Sequence, residues 1–307
     1  MKNFHINTPL LESVNLGKLL GKEVWLKMDA LQPTGSFKIR GMGRACQEAV
    51  KAGATELFTS SGGNAGYAVA YAGNKLRIKT TVIVPQTTSE FMHQKLKDEN
   101  AEVMVYGESW IEAHEFAKQL CKERHGAYIH PFDDPNVWSG NSTIIDEVKE
   151  EIEKPELIIV SVGGGGLLCG LIEGLHKHGW SDVPVLAVET EGAASFSGAI
   201  KAGKLITLEK IESIAVTLGA KQVTAKALEW SGKHRIIPYL VTDKMAVNAC
   251  YNFINDHRVL VEPACGASLA AIYEKAEILN EFKSILVIVC GGSGVNLEML
   301  NKWQQKL

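Results

Sequence analysis

Apolar and polar side chains alternate along EVWLKMD at 23–29, the period-two pattern of a strand with one covered face. A turn with Pro33 follows. From Ser36 the period changes: Ile39, Met42, Ala45, Cys46 and Val50 recur at helical spacing, and Gly53 supplies a stop. ELFTS at 56–60 then reads as a short apolar strand. The alternation continues with a helix over 64–74, a strand over 80–85, a helix over 89–99, a strand over 102–107 and a helix over 108–125. Beyond HPFDDPNV at 130–137 come a helix near 142–153, a strand at 157–162, a helix after Gly166 and a strand at 185–190. ILVIVC at 285–290 has no polar position, so it belongs in the middle of a sheet covered on both faces, ahead of a short closing helix. Strands alternating with helices imply βαβ units and parallel sheets. The expected fold is α/β, with the chain passing between two lobes near Pro33 and again near Pro135. Strand-end loops then surround a common cleft, where open α/β sheets bind ligands.

Composition narrows the function. The 307 residues are 46% hydrophobic and 22% charged with a net charge of −3, enough apolar surface for a sizeable core and no excess of positive charge for a polyanion. No nucleic-acid partner is expected. No run approaches about 18 apolar residues and the N-terminus lacks a signal-peptide pattern, so no membrane partner and a cytoplasmic location are expected. The six cysteines, Cys46, Cys121, Cys169, Cys250, Cys265 and Cys290, show no CxxC spacing and read as reduced thiols. EVKEEIEK at 147–154 reads as a solvated helix face.

Four glycine-bearing segments carry the chemistry: GSFKIRG at 35–41, SSGGNAG at 60–66, SVGGGGLLCG at 161–170 and CGGSG at 290–294. Gly163, Gly164, Gly165 and Gly166 follow a buried strand and open an apolar helix, which exposes amides and a positive dipole end to a phosphate. One or two glycines would suffice for a tight loop. Nucleotide motifs fail: Leu168 breaks GxGxxG, and Leu205 stands where a P-loop after Lys204 needs Ser or Thr. Lys38, between Phe37 and Ile39, loses solvation and gains nucleophilicity, although a lone lysine more often snorkels to the surface. SSGGNAG is a second anion pocket suited to a carboxylate, or equally an ordinary N-cap when taken alone. His176 and His178, two apart on a helix, make a poor metal pair, and Asp133 and Asp134 read as turn residues.

These segments, with TPLLES at 8–13, HPFDDP at 130–135, LVEPACGA at 260–267 and VIVCGGSG at 287–294, resemble the pyridoxal-phosphate enzymes of the tryptophan-synthase β-like fold. The resemblance is closest to L-serine/L-threonine dehydratases of the liver type and runs nearly end to end. It implies two open, twisted, mostly parallel sheets covered by helices, with the active site between a large cofactor-binding lobe (1–31 and 136–307) and a small substrate-binding lobe (32–135). It implies pyridoxal 5'-phosphate on Lys38 as a Schiff base, with Lys38 then taking the substrate α-proton. Phe37 would face the cofactor ring, Gly163 to Gly166 and Leu167 its phosphate, Asn64 its phenolic oxygen and Cys290 its pyridine nitrogen. Ser61, Gly62, Gly63 and Asn64 would grip the carboxylate of a small amino-acid substrate. Glu189, Ala193 and Ser195, with the carbonyls of Gly163, Leu218 and Ala220, resemble a monovalent cation site that suits potassium. A homodimer is also implied. Taken alone, Cys290 would read as a buried strand-end thiol.

The reaction implied is β-elimination: L-serine to pyruvate and ammonia, and L-threonine to 2-oxobutanoate. A neutral thiol at Cys290 weakens the electron sink, which favours prompt loss of the β-hydroxyl. Serine racemase shares SFKIRG but has a serine at the position of Gly62 as its second acid/base, and a further carboxylate where Ser195 stands. Ile39 departs from cysteine and threonine synthases, which are acidic there. A low-turnover protein that binds amino acids through the cofactor is the alternative of another class. The chain ends soon after its closing helix, so no effector domain and no isoleucine feedback are expected.

Overall fold

The computed structural model describes residues 2–307. The chain enters through β1 (Leu10–Glu12), α1 (Val14–Leu20) and β2 (Glu23–Lys27), with β1 folded back antiparallel on β2. Ser13 caps α1 by accepting the Leu16 amide, and Gly21 at φ +67° ends it in the left-handed region. A first run of alternating elements follows: α2 (Lys38–Lys51), β3 (Glu56–Thr59), α3 (Asn64–Leu76), β4 (Lys79–Val84), α4 (Glu90–Asp98), β5 (Glu102–Val105), α5 (Trp110–Glu123) and β6 (Ala127–Tyr128). Its strands form a parallel sheet in the order β5-β4-β3-β6.

The helices α6 (Pro135–Asn141) and α7 (Thr143–Glu151) return the chain to the first sheet. That sheet is completed through β7 (Leu157–Ser161), α8 (Gly166–Lys177), β8 (Val185–Thr190), α9 (Ser195–Ala202), α10 (Ala225–Ser231) and β9 (Ile236–Val241). The chain closes with α11 (Asp243–His257), α12 (Pro263–Tyr273), β10 (Ser284–Ile288) and α13 (Leu297–Lys306). The strand order is β1-β2-β10-β7-β8-β9, parallel except for β1. The apolar run of β10 therefore lies inside the sheet, where Ile285, Leu286, Val287 and Ile288 have no exposed surface.

Two expectations change, and one element is added. On the polar side of the strand at 23–29 Glu23 is exposed but Lys27 is fully buried, with its ammonium 2.7 Å from Glu147 and donating to the Thr8 carbonyl at 2.7 Å. Glu147 is accordingly not a solvated residue. It shares the buried Arg40 guanidinium with Asp29, and this network joins α2 to α7. The helix placed near 142–153 is preceded by α6, because Pro135 sits at its start and Asp134 caps it by accepting the Asn136 amide.

Candidate active site

Lys38 is positioned by the loop that leaves β10. Gly291, at φ +86°, lies so close that a Cβ there would stand 2.3 Å from the Gly35 carbonyl oxygen, so only glycine lets the two backbones meet. The Gly292 amide donates to the Gly35 carbonyl at 2.8 Å, and the Phe37 amide donates to the Cys290 carbonyl at 3.0 Å. The segment from Gly35 to Phe37 is thereby clamped to the end of the central strand, and α2 begins at Lys38. The amine donates to the Pro131 carbonyl at 2.8 Å and sits 5.2 Å from the Phe37 ring centre. Loss of hydration lowers its pKa to about 8, with Cys290 and Glu262 opposing the shift.

The glycine run between β7 and α8 is packed too tightly for side chains. A Cβ on Gly164 would lie 2.3 Å from the Phe132 ring, and one on Gly166 would lie 2.6 Å from the Phe132 carbonyl oxygen. The carbonyls of Gly164, Gly165 and Gly166 accept from the Thr224 amide, the Cys169 amide and Asn141 Nδ2 at 3.0, 2.9 and 3.0 Å. With these acceptors engaged, the amides at the start of the 12-residue α8 remain for an anion.

Across the cleft, Ser61, Gly62, Gly63 and Asn64 lead into α3. Asn64 is buried, and its side-chain amide makes three hydrogen bonds. Its Oδ1 accepts from the Ser293 amide at 2.8 Å and the Ser293 hydroxyl at 3.1 Å, while its Nδ2 donates to Glu262 at 2.7 Å. A Cβ on Gly62 would fall 2.4 Å from the Thr88 hydroxyl oxygen, so this loop is closed to a side chain unless Thr88 moves.

All these segments line one cavity of about 530 Å³, within the size range of small-molecule sites. Phe37, Lys38, Ser61 to Asn64, Gly163 to Leu167 and Cys290 all face it. Cys290 is buried, and the hydrogen bond its thiol makes to Cys265, together with burial, holds it well above the ordinary range, hence neutral. The wall also carries Ser36, whose buried Oγ has no protein partner. A glycine cradle, a partly dehydrated amine, a neutral thiol and an unpartnered hydroxyl fit a phosphorylated aldehyde that needs an anion site, an amine and polar contacts on its ring. Glu262 and Phe132 line the same cavity but are not candidates from the sequence. The available signal for Glu262 was an isolated acid just before Pro263 in an otherwise uncharged run.

The proposed cation ligands lie where the adjacent strands β7 and β8 end, with the Val162 amide donating to the Val188 carbonyl at 2.8 Å. Glu189 is fully buried, and its carboxylate accepts from the Phe196 and Ser197 amides at 2.8 and 2.7 Å and from the Ser197 hydroxyl at 2.6 Å. Burial raises its pKa. Ser195 Oγ beside it is buried without a partner, and Ala193 lies in the preceding turn. Gly163 packs on Leu218, whose carbonyl also accepts the Ala220 amide at 2.7 Å. Among the described residues no cluster of three or more His, Cys, Asp or Glu forms a metal site.

With this geometry, the chain belongs to the pyridoxal-phosphate-dependent enzyme family, which it matches over residues 1–291. The similarity to individual members is closer still. It is 47% identical to the human L-serine dehydratase/L-threonine deaminase over 99% of this chain and 95% of that one. A fungal L-serine ammonia-lyase structure from Rhizomucor miehei superposes with a TM-score of 0.95 at 38% identity, covering 99% of both chains. The maize serine racemase structure gives 0.89 at 26% identity, over 99% of this chain and 93% of that one. No helix is long and apolar enough to cross a membrane among the described residues.

Proposed function

We propose that this enzyme eliminates water from L-serine, giving pyruvate and ammonia, and acts likewise on L-threonine to give 2-oxobutanoate. The observation that carries this reading is the convergence of the Lys38 amine, a glycine-built phosphate cradle and the Ser61–Asn64 loop on one cavity. The bound cofactor supplies an electron sink for the pair left when the substrate loses its α-proton. Lys38 moves that proton: with a pKa of about 8, its amine is deprotonated in a useful fraction near neutral pH. The Pro131 carbonyl gives the amine a fixed resting partner. Ser61, Gly62 and Gly63, at the start of α3, receive the substrate carboxylate. Gly163 to Leu167 hold the phosphate, Asn64 the phenolic oxygen and Cys290, as a neutral thiol, the pyridine nitrogen.

The human and fungal relatives, named for serine dehydration and serine ammonia-lyase activity, support this substrate class. The absence of a side chain at Gly62 leaves that position without the second proton donor a racemase needs. Further parts of the reading are a potassium ion near Glu189 and Ser195, a homodimer, a cytoplasmic location and the lobe division at 32–135. The unpartnered Ser195 hydroxyl supports the ion, and six free, buried cysteines suit a reducing compartment.

Keto-acid release from L-serine and L-threonine by the cofactor-loaded protein tests the function, with Lys38→Ala alongside. Pyruvate and 2-oxobutanoate should form and should vanish in the variant. A coloured, Lys38-dependent adduct without keto acid from either substrate would instead indicate binding alone or another amino acid.

A further inference from the structure

Among the described residues Glu262 is the one carboxylate on the cavity wall. It precedes α12 at the N-cap position, yet its side chain caps nothing there. Instead it turns into the cavity and is buried, with 6% of its surface exposed. Its Oε1 accepts from Asn64 Nδ2 at 2.7 Å and from the Thr217 hydroxyl at 2.5 Å, and the Gly294 amide also supports the carboxylate. Room for it exists only because residue 292 is glycine, where a Cβ would lie 2.1 Å from the carboxyl carbon. A buried acid is costly unless its acceptors are filled, and here the donors come from three separate segments.

The consequence falls on Asn64. Its carbonyl oxygen takes two donors from Ser293, and one of its two N–H groups is engaged by Glu262. Turning the amide over would set Oδ1 against the carboxylate and the NH2 group against the Ser293 amide, breaking the two bonds whose partners cannot reverse roles. One N–H is therefore left, in a fixed direction. We propose that Glu262 is a positioning residue: it aims the free N–H of Asn64 at the cofactor's phenolic oxygen and ties the start of α3, with the carboxylate loop before it, to the large lobe. This inference rests on the function proposed above. Glu262 acts through Asn64 and takes no part in the bond changes.

A hydrogen bond to the phenolic oxygen favours its anionic form, so losing the aim alters the protonation of the lysine-linked cofactor as well as its grip. The experiment compares wild type, Glu262→Ala, Asn64→Ala, the double variant and Thr217→Val, all loaded with pyridoxal 5'-phosphate. The pH titration of the visible band, the cofactor Kd and the kcat and KM for L-serine are read for each. Glu262→Ala should weaken cofactor binding about ten-fold and displace the titration midpoint, as loss of one charge-assisted hydrogen bond does. The double variant should be no worse than Asn64→Ala alone, and Thr217→Val should give the same changes in smaller measure. If Glu262→Ala does not fold, Thr217→Val alone decides: a shifted midpoint supports the role and an unchanged one overturns it. Additive losses in the double variant, or a band and Kd equal to wild type in Glu262→Ala, would overturn the inference while leaving the dehydratase reading intact. A wild type that forms no lysine-linked band would overturn both.

Discussion

At the scale of single residues, the reactivity of the site depends on how little water surrounds one amine. The folded protein disfavours the charge on Lys38, so its destabilising effect is full below pH about 8 and fades as pH rises toward the ordinary lysine value of 10.5. The same shift controls attachment, because only the free amine attacks an aldehyde. Uptake of the cofactor by the empty protein should accelerate as pH rises through about 8 and level off above it, as followed by stopped-flow growth of the visible band. A rate flat across that interval would show that the amine is not the titrating group. The glycine cradle makes a second prediction. Gly164→Ala would press a methyl within 2.3 Å of the Phe132 ring, and overpacking of this kind costs about 1–3 kcal/mol. Urea titration should show a lower midpoint, and cofactor titration a weaker Kd. The four glycines were legible in the sequence because their demand, close backbone approach, is local, whereas Lys38 became a candidate through the resemblance of the motif around it, a lone lysine more often reaching the surface. Pro131 and Glu262 were not, since they reach Lys38 and Asn64 across 93 and 198 residues of chain.

Between elements, the junction of α2 with α7 depends on buried charge. Arg40 and Asp29 are both almost fully buried, with guanidinium bonds of 2.7 and 2.8 Å to the carboxylate. The attraction of Arg40 and its hydrogen bonds hold the Asp29 carboxyl below the usual carboxylate range despite burial. A carboxyl depressed by folding contributes stability that is present above its unfolded pKa, about 3.9, and is lost as pH falls through the lower folded value. Asp29→Asn removes one of the two carboxylates on the guanidinium, leaving Glu147, and should lower stability in equilibrium denaturation by less than the about 3–5 kcal/mol of a fully uncompensated buried charge. The variant should also lose less stability than wild type on acidification. Several elements escaped a reading by periodicity for identifiable reasons. α12 (PACGASLAAIY) is buried on nearly every side, so it has no polar stripe to give it a period. β9 contains Pro238, which reads against a strand, but β9 is the edge of its sheet, where a missing donor is tolerated.

For the whole molecule, the cavity is a joint product of two sheets, and whatever fills it holds them together. Cofactor at about a hundred times its Kd should add about 2.7 kcal/mol to unfolding stability, and Lys38→Ala should lose most of that increment. Thermal denaturation with and without pyridoxal 5'-phosphate measures both. The amino-acid sequence by itself determined the alternating α/β plan and the central place of ILVIVC, and it marked the glycine loops as places of close backbone approach. Each of these follows from side-chain period or backbone freedom within a few residues. Only the tertiary structure decided that Lys27 and Glu147 are buried, that Asn64 is held between Glu262 and Ser293, and that the Lys38 amine rests on Pro131. Those outcomes depend on which distant groups replace water as hydrogen-bond partners, and packing of the folded chain selects them.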